Sequence, residues 1–125
     1  MSNWNVNTIT LFVEDLAASK QFYQKVFELA VVFEDENSVV FKFQNMVINV
    51  LKISEAHELI APAKVANLES GSRMMLTINV EDVDATYLDL VARGVTFLNG
   101  PINRPWGVRT ISFADPSGHI WEIAT

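Results

Sequence analysis

Thr10-Leu-Phe-Val-Glu-Asp-Leu-Ala-Ala18 and Thr77-Ile-Asn-Val-Glu-Asp-Val-Asp-Ala85 are two versions of one segment. Five of the nine positions are identical at a shift of 67 residues, close to half of the 125-residue chain, and Leu16 against Val83 is an apolar exchange. A repeat at that spacing makes the chain two copies of one unit. In each copy the apolar period changes from alternation, ending at Val13 or Val80, to helical spacing after Asp15 or Asp82. Each unit therefore opens as a strand followed by a helix, with the aspartate as N-cap. In the second helix Val83, Tyr87, Leu90 and Val91 share one face, and Gly94 after Arg93 is a stop signal. The first helix carries Leu16, Tyr23 and Phe27 at comparable spacing.

Three strand-like runs follow each helix: 31–34, 39–43 and 46–51, then 95–98, 108–113 and 120–124. The unit is βαβββ, twice. Asp115-Pro-Ser-Gly118 is a turn by composition and joins the last two strands as a hairpin. The reading is one domain over 1–125, with a first module at 4–51, a polar linker at 52–72 holding a turn or two of helix near Ala56 to Ile60, and a second module at 73–125. The fold class is α+β: two tandem βαβββ modules forming a curved mixed sheet with a concave cavity.

Composition narrows the chemistry. Fifteen acidic residues against nine basic ones give a formal charge of -6, which disfavours nucleic-acid backbones. The longest apolar run, Leu29 to Phe33, is too short for a membrane span or a signal peptide, and the expectation is a cytoplasmic protein with no membrane partner. The absence of cysteine excludes disulfides, thiolate metal sites and a cysteine nucleophile, leaving His57 and His119 as the only imidazoles. Both are read as solvated.

Alternation sorts the first and last strands of each module into two faces. Ile9, Leu11, Val13, Ile48 and Val50, with Leu76, Ile78, Val80, Trp121 and Ile123, are uniformly apolar and suit packing under a helix. The opposite face carries Thr8, Thr10, Phe12, Asn49, Met75, Thr77 and Glu122. An apolar wall with a few fixed polar groups is what a ligand cavity needs, whereas a solvated face carries more Lys, Glu and Arg. Glu122 is read as a ligand anchor or, in an enzyme, a general base; an exposed strand glutamate is the alternative. Trp106, between Pro105 and Gly107, is either a stacking platform for a ligand or a core anchor. Arg109 faces either an anionic group of the ligand or a nearby carboxylate.

Paired βαβββ modules, Val-Glu-Asp before each helix, Phe22-Tyr23, Pro105-Trp-Gly, Asp115-Pro-Ser-Gly118 and Trp121-Glu122 together resemble the vicinal oxygen chelate superfamily of glyoxalases, bleomycin-resistance proteins and extradiol dioxygenases. The resemblance covers nearly the whole chain and is specific for fold rather than function. It implies that metal-dependent members hold a divalent ion on four positions, usually His, Glu, His and Glu. Here Thr8 and Met75 stand at the histidine positions, and Asn49 (or Leu51) and Glu122 at the others. Hydroxyl, amide, thioether and one carboxylate make a poor site for such ions, so no metal and no cofactor are expected. Dioxygenase, thiol-transferase and lactoylglutathione lyase activities are disfavoured with them. The resemblance then implies a bleomycin-resistance-type homodimer that sequesters a small aromatic or cationic molecule, with antibiotic resistance as the class of role. The alternative is a lyase, isomerase or epimerase acting on a small oxygenated substrate with Glu122 as general base.

Overall fold

The computed structural model describes residues 3–125. The first module runs β1 (Thr8–Val13), α1 (Leu16–Phe27), β2 (Val31–Glu34), β3 (Ser38–Lys42) and β4 (Val47–Lys52). The second runs β5 (Met75–Asn79), α3 (Val83–Ala92), β6 (Phe97–Asn103), β7 (Arg109–Ala114) and β8 (Ile120–Ala124). Between them lie α2 (Ile53–Ile60) and a short 3₁₀ turn, Leu68–Ser70. What the sequence suggested as one curved sheet is two hydrogen-bonded sheets of four strands, ordered β1-β4-β3-β2 and β5-β8-β7-β6. In both, the first strand lies parallel to the last, and the remaining pairs are antiparallel.

The chain separates into two compact units, Met1–Ala66 and Asn67–Thr125. Their internal construction is the same. Asp15 Oδ1 accepts the Ala18 N–H at 3.0 Å and Asp82 Oδ1 the Ala85 N–H at 3.0 Å, so the repeated aspartates cap α1 and α3. In the first unit Tyr23 of α1 packs against Phe41 of β3, with ring centroids 5.7 Å apart, over Leu11, Val13, Ile48 and Val50. In the second, Tyr87 of α3 meets Phe97, which meets Phe113 edge-on at 5.9 Å, over Ile111, Trp121 and Ile123. Burying these apolar side chains is what holds each helix on its sheet. Each second strand also carries a bulge at the same place, beside Val32 in β2 and Leu98 in β6.

Two local expectations need correction. The helix in the polar segment begins at Ile53, directly after β4, and packs on β4 and β1 with Ala56 fully buried. Ile53, Ala56 and Ile60 recur at helical spacing and are its buried or partly buried residues, while Leu59 is exposed. Strand β6 starts at Phe97 rather than Val95 because Val95 belongs to the helix end. Gly94, at φ 87, donates to Val91 O, and Val95 N–H reaches back to Leu90 O at 3.0 Å. This paired closure of the last helical carbonyls uses the Val95 amide. The strand then runs on to Asn103, past Gly100, whose positive φ of 94 accompanies the irregularity between Asn99 and Ile102.

Candidate functional site

The faces opposite α1 and α3 carry the polar residues picked out by alternation, and register sets them in rows. Across the first sheet the row is Thr10, Asn49, Val40 and Phe33; across the second it is Thr77, Glu122, Ser112 and Asn99. These rows are repeat mates, position by position. Asn49 lies opposite Thr10 as Glu122 lies opposite Thr77, so register matches Asn49, rather than Leu51, with Glu122. In each row the threonine touches its neighbour. Asn49 Nδ2 donates to Thr10 Oγ1 at 3.4 Å, and Thr77 Oγ1 donates to Glu122 Oε1 at 3.0 Å. The first row ends in apolar side chains and the second is polar throughout.

The second row is the better built of the two. Ser112, buried in β7, donates its hydroxyl to Asn99 Oδ1 at 3.3 Å. The same oxygen accepts Arg104 Nη2 at 3.0 Å, and Arg104 Nε donates to Thr110 Oγ1 at 2.9 Å. Because Thr110 shares the face of Ser112, the Arg104 side chain lies across this open side of the sheet. Arg104 starts the β6–β7 hairpin turn. Its N–H reaches Val108 O at 2.7 Å, its carbonyl accepts the Gly107 N–H at 3.0 Å, and Gly107 has φ 97. That is the geometry of a tight hairpin ending in a left-handed glycine, and it accounts for the Pro105-Trp106-Gly107 sequence.

The remaining candidates fall as follows. Thr8 and Phe12 share the face of Thr10 and Asn49, with the Thr8 hydroxyl donating to Asn7 Oδ1 at 2.9 Å. Met75 shares the face of Thr77 and Glu122 and is half exposed. Trp106 is 72% exposed at the tip of the hairpin, so it is no core anchor in this chain. Arg109 stands on the other face. Its guanidinium grips Asp84 of α3 through Nε at 3.1 Å and Nη2 at 2.9 Å, and Nη1 reaches Asn103 Oδ1 at 3.0 Å. Of the two partners the sequence offered it, the carboxylate is the one it meets. His119 departs from the solvated reading: Nδ1 lies 2.8 Å from Oδ2 of buried Asp115, inside the β7–β8 turn. His57 is exposed on α2. Among the described residues no three His, Cys, Asp or Glu side chains gather into a group able to hold a metal ion.

Asn99, Arg104 and Ser112 escaped the sequence reading. Alternation in Arg109-Thr-Ile-Ser-Phe113 already separates Thr110 and Ser112 from apolar Ile111 and Phe113, and it sets Arg109 with the apolar pair. Nothing comparable flags Arg104, whose position follows from a turn.

The sequence model described as Glyoxalase/Bleomycin resistance protein/Dioxygenase superfamily matches residues 5–123. The chain belongs to this superfamily. A relative, the uncharacterized protein YraH of Bacillus subtilis (strain 168), is 32% identical over 119 residues, spanning 92% of this chain and 93% of its own. Among solved structures, a glyoxalase-related enzyme from Fulvimarina pelagi superposes with a TM-score of 0.82 at 32% identity, covering 96% of this chain and 86% of the other. A glyoxalase/bleomycin resistance protein/dioxygenase from Nocardioides superposes with a TM-score of 0.89 at 24% identity, covering 99% and 84%, and speaks for the superfamily fold alone. In the described residues no helix is long and apolar enough to cross a membrane.

Proposed function

We propose that this chain binds a small organic molecule on the open face of its second sheet, with Glu122 as the fixed anchor and without a divalent ion. One observation carries the reading: Thr77 takes up one oxygen of the half-buried Glu122 carboxylate, and the other has no partner among the described residues. A carboxylate positioned this way on a face of small polar groups, beside exposed Met75 and near a hairpin that presents Trp106, suits a cationic or aromatic guest. The donor chemistry argues against a metal there. Met75, Thr77 and Glu122 of this face offer a single anionic oxygen ligand, whereas zinc, manganese and iron sites use imidazole, thiolate or several carboxylates.

Calorimetric titration of chelator-treated protein with zinc, nickel, cobalt, manganese and ferrous ions tests the metal part. The expected result is no heat beyond dilution. Binding tighter than about micromolar that disappears in Glu122→Ala overturns it. Binding of a cationic probe, reduced in Glu122→Gln, tests the anchor.

A second reading has one observation in its favour, the 32% identity to a structure described as a glyoxalase-related enzyme. Under it Glu122 is the general base of a lyase, isomerase or epimerase. The signature is a Glu122→Gln variant that still binds its small molecule and no longer turns it over. A homodimer is part of the proposal. Val32 and Phe33 on edge strand β2, and Leu98 and Ile102 on edge strand β6, are exposed apolar residues that a second copy would cover. Sedimentation at micromolar concentration decides it, a monomer being the refuting result.

A further inference from the structure

The open face of the second sheet carries two opposite full charges that do not pair with each other. Glu122 is drawn toward β5 by Thr77, while Arg104 is drawn toward β6 and β7 by Asn99 and Thr110, with Ser112 between them. Neither charge has an ion-pair partner among the described residues, in contrast to Arg109 with Asp84 and Lys20 with Glu34 on other parts of the molecule. Uncharged partners thus hold both side chains in place while leaving their charges uncompensated. Arg104 uses Nε and one N–H of Nη2, so Nη1 and the second Nη2 hydrogen stay available as a fork for an anion.

We propose that Arg104 is a second anchor and that the ligand of this face is amphoteric, with a cationic end at Glu122 and a carboxylate or similar anion at Arg104. This rests on the reading of Glu122 given above. The spacing limits ligand size. The Glu122 carboxylate leans from β8 toward β5 and the Arg104 guanidinium bonds side chains of β7 and β6, so the two charges stand about two strand spacings apart, about 10 Å. Two charge-assisted hydrogen bonds of about 2.8 Å leave about 4 to 5 Å between the ligand's charges. A linear amino carboxylate with two to four methylenes has that reach. An α-amino acid, whose charges adjoin, is too short to meet both.

The test uses three probes of similar length at constant ionic strength, since exposed charges are screened by salt: 4-aminobutanoate, butanoate and butylammonium. Binding is followed through amide NMR shifts of the full chain, wild type and the variants Glu122→Gln, Arg104→Gln and Arg104→Lys. The expected result is that wild type binds 4-aminobutanoate at least tenfold more tightly than either single-charge probe. Arg104→Gln removes that advantage and weakens butanoate without changing butylammonium; Arg104→Lys restores part of it; Glu122→Gln does the converse. If Arg104→Gln weakens all three probes alike, Arg104 is only a brace of the hairpin and the amphoteric ligand is refuted, while Glu122 as anchor stands. If butylammonium binds equally well to Glu122→Gln, or no probe shifts the resonances of Glu122 and its neighbours, the anchor reading fails and this inference fails with it.

Discussion

Replacing Asp115 should cost this protein more stability than replacing any other acidic residue of the second unit, and the amount follows from three hydrogen bonds. Oδ1 accepts the backbone N–H of Ser117 at 2.9 Å and of His119 at 2.9 Å, and Oδ2 meets His119 Nδ1 at 2.8 Å. The carboxylate is buried while doing so, and the Asp115 backbone N–H donates to His119 O to close the β7–β8 turn. A hydrogen bond to a charged group contributes about 1.5 to 3 kcal/mol, and the two amides would be left unpaired in a partly buried turn. Taking the low end for each amide and less for the part-exposed imidazole, Asp115→Ala loses about 3 to 5 kcal/mol. That is a large share of the roughly 5 to 15 kcal/mol that holds an ordinary domain together. It corresponds to a melting temperature lower by roughly 10 to 20 °C for a chain of this size. Asp115→Asn keeps the Oδ1 acceptor and loses the charge, so about 1 to 2 kcal/mol is expected. Urea unfolding followed by circular dichroism measures both. A loss below about 1 kcal/mol in Asp115→Ala, or equal losses in the two variants, refutes the argument that the carboxylate organises the turn. The same turn sets the register in which Ser112 faces Glu122.

Ser19 lies fully buried in α1 with its hydroxyl unpartnered, so Ser19→Ala removes an unsatisfied group and improves helix propensity; thermal unfolding should show a gain of about 1 kcal/mol. Gly100→Ala places a Cβ against Thr110 O and 2.8 Å from Ile111 Cα at a φ of 94, and should destabilise by at least about 2 kcal/mol in urea, whereas Gly107→Ala meets no atom and should cost only about 1 kcal/mol of backbone strain. The Asp35 carboxyl sits below the usual 3.8 because the Asn37 N–H bonds its charged form, desolvation opposing this in part and the N–H and hydroxyl of Ser38 adding to it. A depressed folded-state pKa contributes stability above the unfolded value, lost as pH falls through the folded one. A carboxyl-detected NMR titration should therefore place Asp35 below 3.8, and Asp35→Asn should flatten the acid limb of the stability curve below that pH; a midpoint at or above 3.8 contradicts the cause assigned.

Candidate site residues differ in how far local rules reach them. Thr10, Asn49, Thr77 and Glu122 share their sheet faces because side chains alternate along a strand, and alternation is written in the sequence. Arg109 was open to the same reasoning, since it alternates with Thr110 and falls on the side of Ile111 and Phe113, where Asp84 waits. Arg104 was not. It sits outside any strand, at the first position of a turn, and its guanidinium reaches the open face only by folding back onto Thr110 and Asn99. A long flexible side chain has no periodicity to betray where its end will settle. His119 was misread for a related reason. Its exposure was inferred from a turn-rich neighbourhood, while the deciding fact is that the Asp115 side chain folds inward to meet it.

By itself, the sequence determined the duplicated βαβββ unit, the capping aspartates, the apolar faces under each helix and the superfamily. Each is a local or repeating pattern whose physical meaning does not depend on distant residues. Tertiary structure decided the pairing across strands: that Asn49 is the mate of Glu122, that the second row alone is polar from edge to edge, and that Glu122 and Arg104 lie on one face without meeting. Those facts depend on register between segments far apart in the chain and on where flexible side chains find their hydrogen bonds. Both are settled by the whole packed sheet rather than by any stretch of sequence.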